Sequence, residues 1–140
     1  MMTLYDTHGT LTDNGRLRCI STSVEGVRVL DVSGEIDFAV RADFRSVLDA
    51  VVANTDSPLI VDLTGVRYID SSGFAELISA WKRMTEGHKR LYIVSSPTVR
   101  RLLRILGLER VFDYYGTQRS AVATALRDAC GEPRGLGAIS

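Results

Sequence analysis

The stretch from residue 59 to residue 86 constrains this chain more than any other. It opens with Leu59-Ile60-Val61-Asp62-Leu63, an apolar run rich in branched side chains and broken by one Asp. Such a run fits a strand covered on both faces, because a strand with one wet face alternates apolar and polar residues. A tight turn is expected after it, and then the polar corner Asp70-Ser71-Ser72-Gly73. Asp and Ser suit a helix start, since their side-chain oxygens accept the orphan N–H groups of a first turn. Phe74, Leu77, Ile78, Trp81 and Met84 or Thr85 then recur at helical spacing. Gly87 is expected to take the left-handed position that ends the helix.

The corner is where the chemistry gathers. Two serine hydroxyls are expected where backbone N–H groups point outward and the helix dipole is positive, so negative charge is tolerated there. A phosphate on Ser71 or Ser72 is expected to leave the fold intact and to present a charge of about −1.5 to −2 to whatever docks on the corner. The plainer reading is that these residues only cap the helix, and the four residues alone do not decide between the two.

Balance elsewhere narrows the field. Seventeen basic and seventeen acidic residues cancel across 140 positions, which gives no electrostatic footprint for nucleic acid. No run approaches the length of a membrane span, and the start lacks the basic and apolar regions of a secretory signal. The expected location is cytoplasmic. Cys19 and Cys130 form neither a metal-ligand pattern nor a disulfide framework; a redox pair between them is the weaker alternative to two incidental thiols.

Taken in order, residues 1–15 lack periodicity and read as a flexible leader ending in the turn Asp13-Asn14-Gly15. Residues 17–24 and 27–33 read as two strands joined by a hairpin turn at Glu25-Gly26. Gly34-Glu35-Ile36-Asp37 ends the second. From Arg41 a helical pattern carries Phe44, Val47, Leu48, Val51 and Val52 inward. Past residues 59–86, residues 91–94 form a short strand. Ser96 and Pro97 then mark a helix start, with Val99, Leu102, Leu103 and Leu106 apolar and Gly107 as the stop. Residues 111–115 suggest a last strand, and Thr117 a cap for a final helix bearing Val122, Ala125, Leu126 and Ala129. The domain is thus expected over 16–130, followed by a flexible tail over 131–140.

This order, β-β-α-β-α-β-α-β-α, implies an α/β fold. A mostly parallel sheet of about five strands carries an antiparallel N-terminal edge strand and about four helices. The loops at Asp37 and Asp70 leave the same end of that sheet, which sets Asp37 and Phe38 beside Asp70, Ser71, Ser72 and Gly73. In open α/β sheets, ligands bind at this carboxyl end.

Enzyme chemistry finds little support. The G-x-S-x-G elbow is absent. Of the two histidines, His8 lies in the leader and His88 beyond the far end of the helix, ~20 Å from Ser72 at about 1.5 Å per residue. No glycine-rich phosphate loop occurs. Asp37 and Asp70 as a metal pair are a poorer reading than solvated or capping carboxylates. No cofactor and no metal are expected. Trp81 reads as core, Lys82-Arg83 and Arg100-Arg101 as solvated helix faces, and Tyr114-Tyr115 as strand packing.

The residues resemble a known family. Over about residues 17–129 the chain looks like a STAS domain, in particular the bacterial anti-sigma factor antagonists. The most specific match is Ile60-Val61-Asp62-Leu63-Thr64-Gly65-Val66-Arg67-Tyr68-Ile69-Asp70-Ser71-Ser72-Gly73. Gly34-Glu35-Ile36-Asp37 is similar to the family's Gly-Glu-Leu-Asp, and Ser96-Pro97 with Leu102-Leu103 and Gly107-Leu108 to its later helix. Val40 stands where the family often has Thr, and Phe74 where it usually has Leu.

The resemblance implies a fold of β-α superhelical turns and a non-enzymatic role. Unphosphorylated, such a protein binds an anti-sigma factor serine kinase of ATPase fold and releases a sigma factor. Phosphorylation of the second serine, here Ser72 with Ser71 as second choice, switches it off, and a serine phosphatase restores it. Asp37, Phe38, Asp70, Ser71, Ser72 and Gly73 are then the expected partner-binding residues, on a monomer or weak dimer. The same fold also implies alternatives: a scaffold in a stress-sensing complex, or a regulatory subunit of a transporter.

Overall fold

Short apolar runs alternating with segments of helical period can bury both kinds of face only by stacking helices on a sheet, and the chain does so. The computed structural model describes residues 8–56 and 58–129. One sheet holds six strands in chain order: β1 (Gly9–Asp13), β2 (Leu17–Val24), β3 (Val27–Ile36), β4 (Leu59–Ile69), β5 (Leu91–Val94) and β6 (Asp113–Tyr115). β1, β2 and β3 pair antiparallel; β3 to β6 run parallel. The helices are α1 (Arg41–Ala53), α2 (Ser71–Glu86), α3 (Pro97–Ile105) and α4 (Gln118–Ala129).

Side-chain alternation splits the central strands between two cores. Leu59, Val61 and Leu63 of β4 and Leu91 and Ile93 of β5 join Phe44 of α1, Leu77 of α2 and Leu103 of α3. Ile60, Tyr92 and Val94 face the other way, against Ala121, Val122 and Ala125 of α4. Each large aliphatic side chain so buried stabilises the fold by about 1.5–3 kcal/mol relative to leaving it in water. This double cover is why β4 and β5 read as continuous apolar runs.

Asp62, the one break in that run, is 6% exposed. Its Oδ1 accepts from the Thr64 N–H and hydroxyl, and its Oδ2 from Gln118 Nε2 at 2.8 Å. Gln118 also donates to Asp31 Oδ1 at 3.2 Å, on the neighbouring strand. Burial first, and the Asp62 charge second, push the Asp31 carboxyl above its usual range, against the lowering effect of the Gln118 bond.

The structure corrects the expected boundaries in three places. Part of the expected leader, Gly9–Asp13, is an edge strand paired with β2, so the sheet has six strands and β2 is not its edge. An edge strand wet along most of its length carries no burial period, and a register shift between Thr10 and Thr12 disturbs what alternation remains. The rest of the leader, the tail and Cys130 lie outside the described residues. Second, β4 does not turn after Leu63 but continues to Ile69. Two register shifts against β3 put three residues of β4 opposite two, and later two opposite one, so its buried residues fall at Val66 and Ile69 rather than at every second position. Third, Gly87 has φ −88°, and His88, at φ 59°, is the left-handed residue after α2. Lys89 N–H reaches back to the Met84 carbonyl at 2.8 Å, as a Schellman end requires.

Candidate functional site

The corner is built from the start of α2. Asp70 is the N-cap, in extended conformation, so α2 begins at Ser71 and neither serine is used up as the cap residue. Asp70 Oδ1 accepts from the Ser72 N–H at 3.0 Å and the Gly73 N–H at 3.2 Å. It also accepts from the Ser72 hydroxyl at 2.6 Å, which fixes where Oγ points. Ser71 is exposed, Ser72 half-buried and Gly73 buried. Burial opposes ionisation of Asp70, but the Ser72 hydroxyl and the backbone N–H groups of Gly73, Ser72 and Phe38 outweigh it and hold the carboxyl below its ordinary range.

Gly73 is there for space. A Cβ on it would lie 2.7 Å from Ile36 Cγ2 and 2.8 Å from Ile69 Cγ1. Its bareness lets the first turn of α2 sit down on the ends of β3 and β4. The Asp70 N–H donates to the Ile36 carbonyl at 3.1 Å, which ties the corner to the end of β3.

The β3 loop therefore arrives where the sequence placed it. Asp37 caps a single 3₁₀ turn, Phe38–Val40, through the Ala39 N–H at 3.0 Å. Phe38 is 70% exposed, unusual for an aromatic ring this close to a core. Asp37, Phe38, Asp70, Ser71 and Ser72 thus meet at the carboxyl end of β3 and β4, with Gly73 buried beneath them.

Several neighbours were not singled out from the sequence. Arg16 ion-pairs with Asp37 and lies 3.4 Å from Glu35. Arg41 places its guanidinium carbon 5.0 Å from the Phe38 ring centroid and reaches the buried Glu76 at 3.5 Å. Tyr68, opposite Glu35 on β4, is half exposed and adds a second aromatic to this end of the sheet. Arg16 is visible only through register: Leu17 pairs with Gly34, where any Cβ would meet the Arg16 carbonyl at 1.9 Å.

A phosphate on Ser72 would replace the donor that Asp70 now accepts. It would also bring like charges together, and a unit pair at 4 Å repels by about 4 kcal/mol at an effective dielectric near 20. The helix N-terminus offsets only about 0.3–2 kcal/mol. With Gly73 and Phe74 buried behind it, a phosphoryl group there would be driven away from Asp70 and toward solvent.

Neither histidine approaches the serines: His88 follows the opposite end of α2, and His8 precedes β1 and contacts Ser23 at 3.3 Å. Among the described residues no cluster of three metal-ligating side chains occurs, and no helix is long and apolar enough to cross a membrane. Cys19 is fully buried, and desolvation pushes its thiol up to about 12.

A six-stranded sheet with its helices set this way, and a serine corner at its carboxyl end, define a domain type. The family model of the STAS domain matches residues 20–125, and the chain belongs to that family. The anti-sigma-F factor antagonist RsfB of Mycobacterium tuberculosis is 28% identical over 97 residues, spanning 69% of this chain and 80% of that protein. The crystal structure of an anti-sigma factor antagonist from Mycobacterium paratuberculosis superposes with a TM-score of 0.74 at 26% identity, covering 83% of this chain and 99% of that one. The phosphorylated form of the Bacillus cell fate determinant SpoIIAA shares the fold, with a TM-score of 0.58 at 17% identity over 76% of this chain and 97% of that one.

Proposed function

We propose that this protein is an anti-sigma factor antagonist. Unphosphorylated, it binds an anti-sigma factor serine kinase of ATPase fold through the surface of Asp37, Phe38, Asp70, Ser71, Ser72 and Gly73, and so frees a sigma factor. Phosphorylation of Ser72 blocks that docking, and a serine phosphatase reverses it. The names of RsfB and of the Mycobacterium paratuberculosis protein support the general role.

One observation carries the choice of serine. Ser72 is half-buried on the first turn of α2, and its hydroxyl is aligned by Asp70 at 2.6 Å. Ser71 is exposed. An oriented hydroxyl beside a carboxylate that already accepts its hydrogen bond is the better prepared phosphoryl acceptor. Phe38 supplies the apolar anchor that a docking partner would cover.

The test is incubation with candidate anti-sigma kinases and Mg-ATP, followed by mass spectrometry and a pull-down. The native protein should gain one phosphate at Ser72, Ser71→Ala should still gain it, and Ser72→Ala should bind the kinase while gaining none. Phosphate incorporation into Ser72→Ala at the native level would overturn the assignment.

A further inference from the structure

A second serine pair occupies a different setting at the same end of the sheet. β5 ends at Val94, and Ser95-Ser96-Pro97 leads into α3. Ser96 is the N-cap, accepting from the Val99 N–H at 3.3 Å, and Pro97 takes the first helical position. Ser95 is only 6% exposed, and its Oγ has no hydrogen-bond partner among the described residues. A buried hydroxyl is seldom left unpaired, since it forfeits its hydrogen bond to water without a replacement.

Ser95 lines a cleft of about 560 Å³ together with Ser96, Thr64, Arg100, Arg101 and Arg104. That volume lies inside the roughly 300–1,000 Å³ typical of small-molecule sites. No acidic residue lines it. Arg101 has no ion-pair partner among the described residues. Arg100 is held by a ring rather than an acid, its guanidinium carbon 5.3 Å from the Tyr114 centroid. Arg104 is paired with Glu109 at 3.2 Å. The first turn of α3 contains no acid to offset the positive end of its dipole. The start of α3, guanidinium-bearing side chains and a residue with a spare buried hydroxyl therefore border one cleft, a donor-rich lining of the kind that recognises a phosphate.

We propose that this cleft binds the phosphate group of a small molecule, with the Ser95 hydroxyl donating its unmade hydrogen bond to a phosphate oxygen and Arg100 and Arg101 supplying charge. The site is separate from the Ser72 corner. Asp62 pairs with Val94 at the level of Ser95, and β4 runs on for seven residues to Ile69, on the order of 20 Å at about 3.3 Å per residue.

The experiment measures thermal midpoint and calorimetric affinity with inorganic phosphate and with ribose 5-phosphate, against chloride at matched ionic strength and ribose alone. Both phosphates should raise the midpoint more than chloride, and ribose should not. Tighter binding of the ester identifies a phosphorylated metabolite as the natural occupant, and equal binding identifies free phosphate. Arg101→Glu should weaken phosphate at least tenfold. Ser95→Ala should melt no lower than the native protein without ligand, because it removes an unpaired hydroxyl, yet bind phosphate severalfold more weakly. A midpoint shift no larger than that of chloride, or phosphate affinity unchanged in both variants, overturns the proposal.

Discussion

Two Ser-Ser pairs stand at the starts of two helices at the same end of this sheet, and their surroundings make them opposites. At the start of α2 an acid does the capping: Asp70 accepts from two backbone N–H groups and from the Ser72 hydroxyl, and its pKa falls. At the start of α3 the second serine caps the helix itself, the first is buried without a partner, and arginines stand in front. The dipeptide is the same. Whether a hydroxyl there is suited to receiving a phosphoryl group or to greeting one already made is decided by the charge placed around it.

The contrast can be broken most forcefully by packing. Gly73→Ala puts a methyl 2.7 Å from Ile36 Cγ2 and should cost about 1–3 kcal/mol, read as a lower midpoint in urea. Thr98→Ala, in the exposed first turn of α3, should change that midpoint by less than about 0.5 kcal/mol. Equal effects would mean the α2 start is not pressed onto the strand ends.

Next come the caps. Asp70→Ala removes the acceptor for the first turn of α2 and for the Phe38 N–H, and should cost about 2 kcal/mol, the upper end for a cap. Ser96→Ala removes one hydrogen bond and should cost about 1 kcal/mol or less. Denaturant melts of the two variants side by side test the order. A smaller loss at Asp70 than at Ser96 would deny the carboxylate its organising role.

The smallest effect is in pH, and it separates two aspartates of opposite sign. The Asp70 carboxyl is depressed in the fold, so its contribution is present above the unfolded value of about 3.9 and is lost as pH falls through the folded one. The Asp31 carboxyl is raised, so it favours the fold below about 3.9 and that help disappears as pH rises through its higher folded value. Asp31→Asn should therefore raise the melting midpoint at pH 7 and leave it little changed near pH 3. A drop at pH 7 would show that its hydrogen bond with Gln118 outweighs its repulsion from Asp62.

What the sequence disclosed follows from where burial imposes a period. β4 and β5 are apolar on both faces, and α1 and α2 carry clear helical stripes, so the alternating order and the meeting of Asp37 with Asp70 were legible. The second half of β4 was not, because two bulges move its buried residues from alternate positions to Val66 and Ile69. β1 was not, because an exposed edge has nothing to alternate. At the corner the residues were visible but their division of labour was not. Asp, Ser and Ser all cap helices, and only geometry shows that Asp70 does so and holds the Ser72 hydroxyl. The arginines of α3 read as a solvated face and are exposed, but nothing in their spacing revealed that they share a cleft with the buried Ser95.

In the proposed function Ser72 is the gate. A phosphate on Ser72, met by a partner carboxylate about 5 Å away, would repel it by roughly 3 kcal/mol per unit charge at an effective dielectric near 20. That is on the order of a hundredfold in affinity. The direct measurement is calorimetric titration of the cognate anti-sigma factor with native protein and with protein phosphorylated at Ser72. A loss of about a hundredfold, with the far-ultraviolet spectrum unchanged, is the predicted result; equal affinity for the two forms would contradict it.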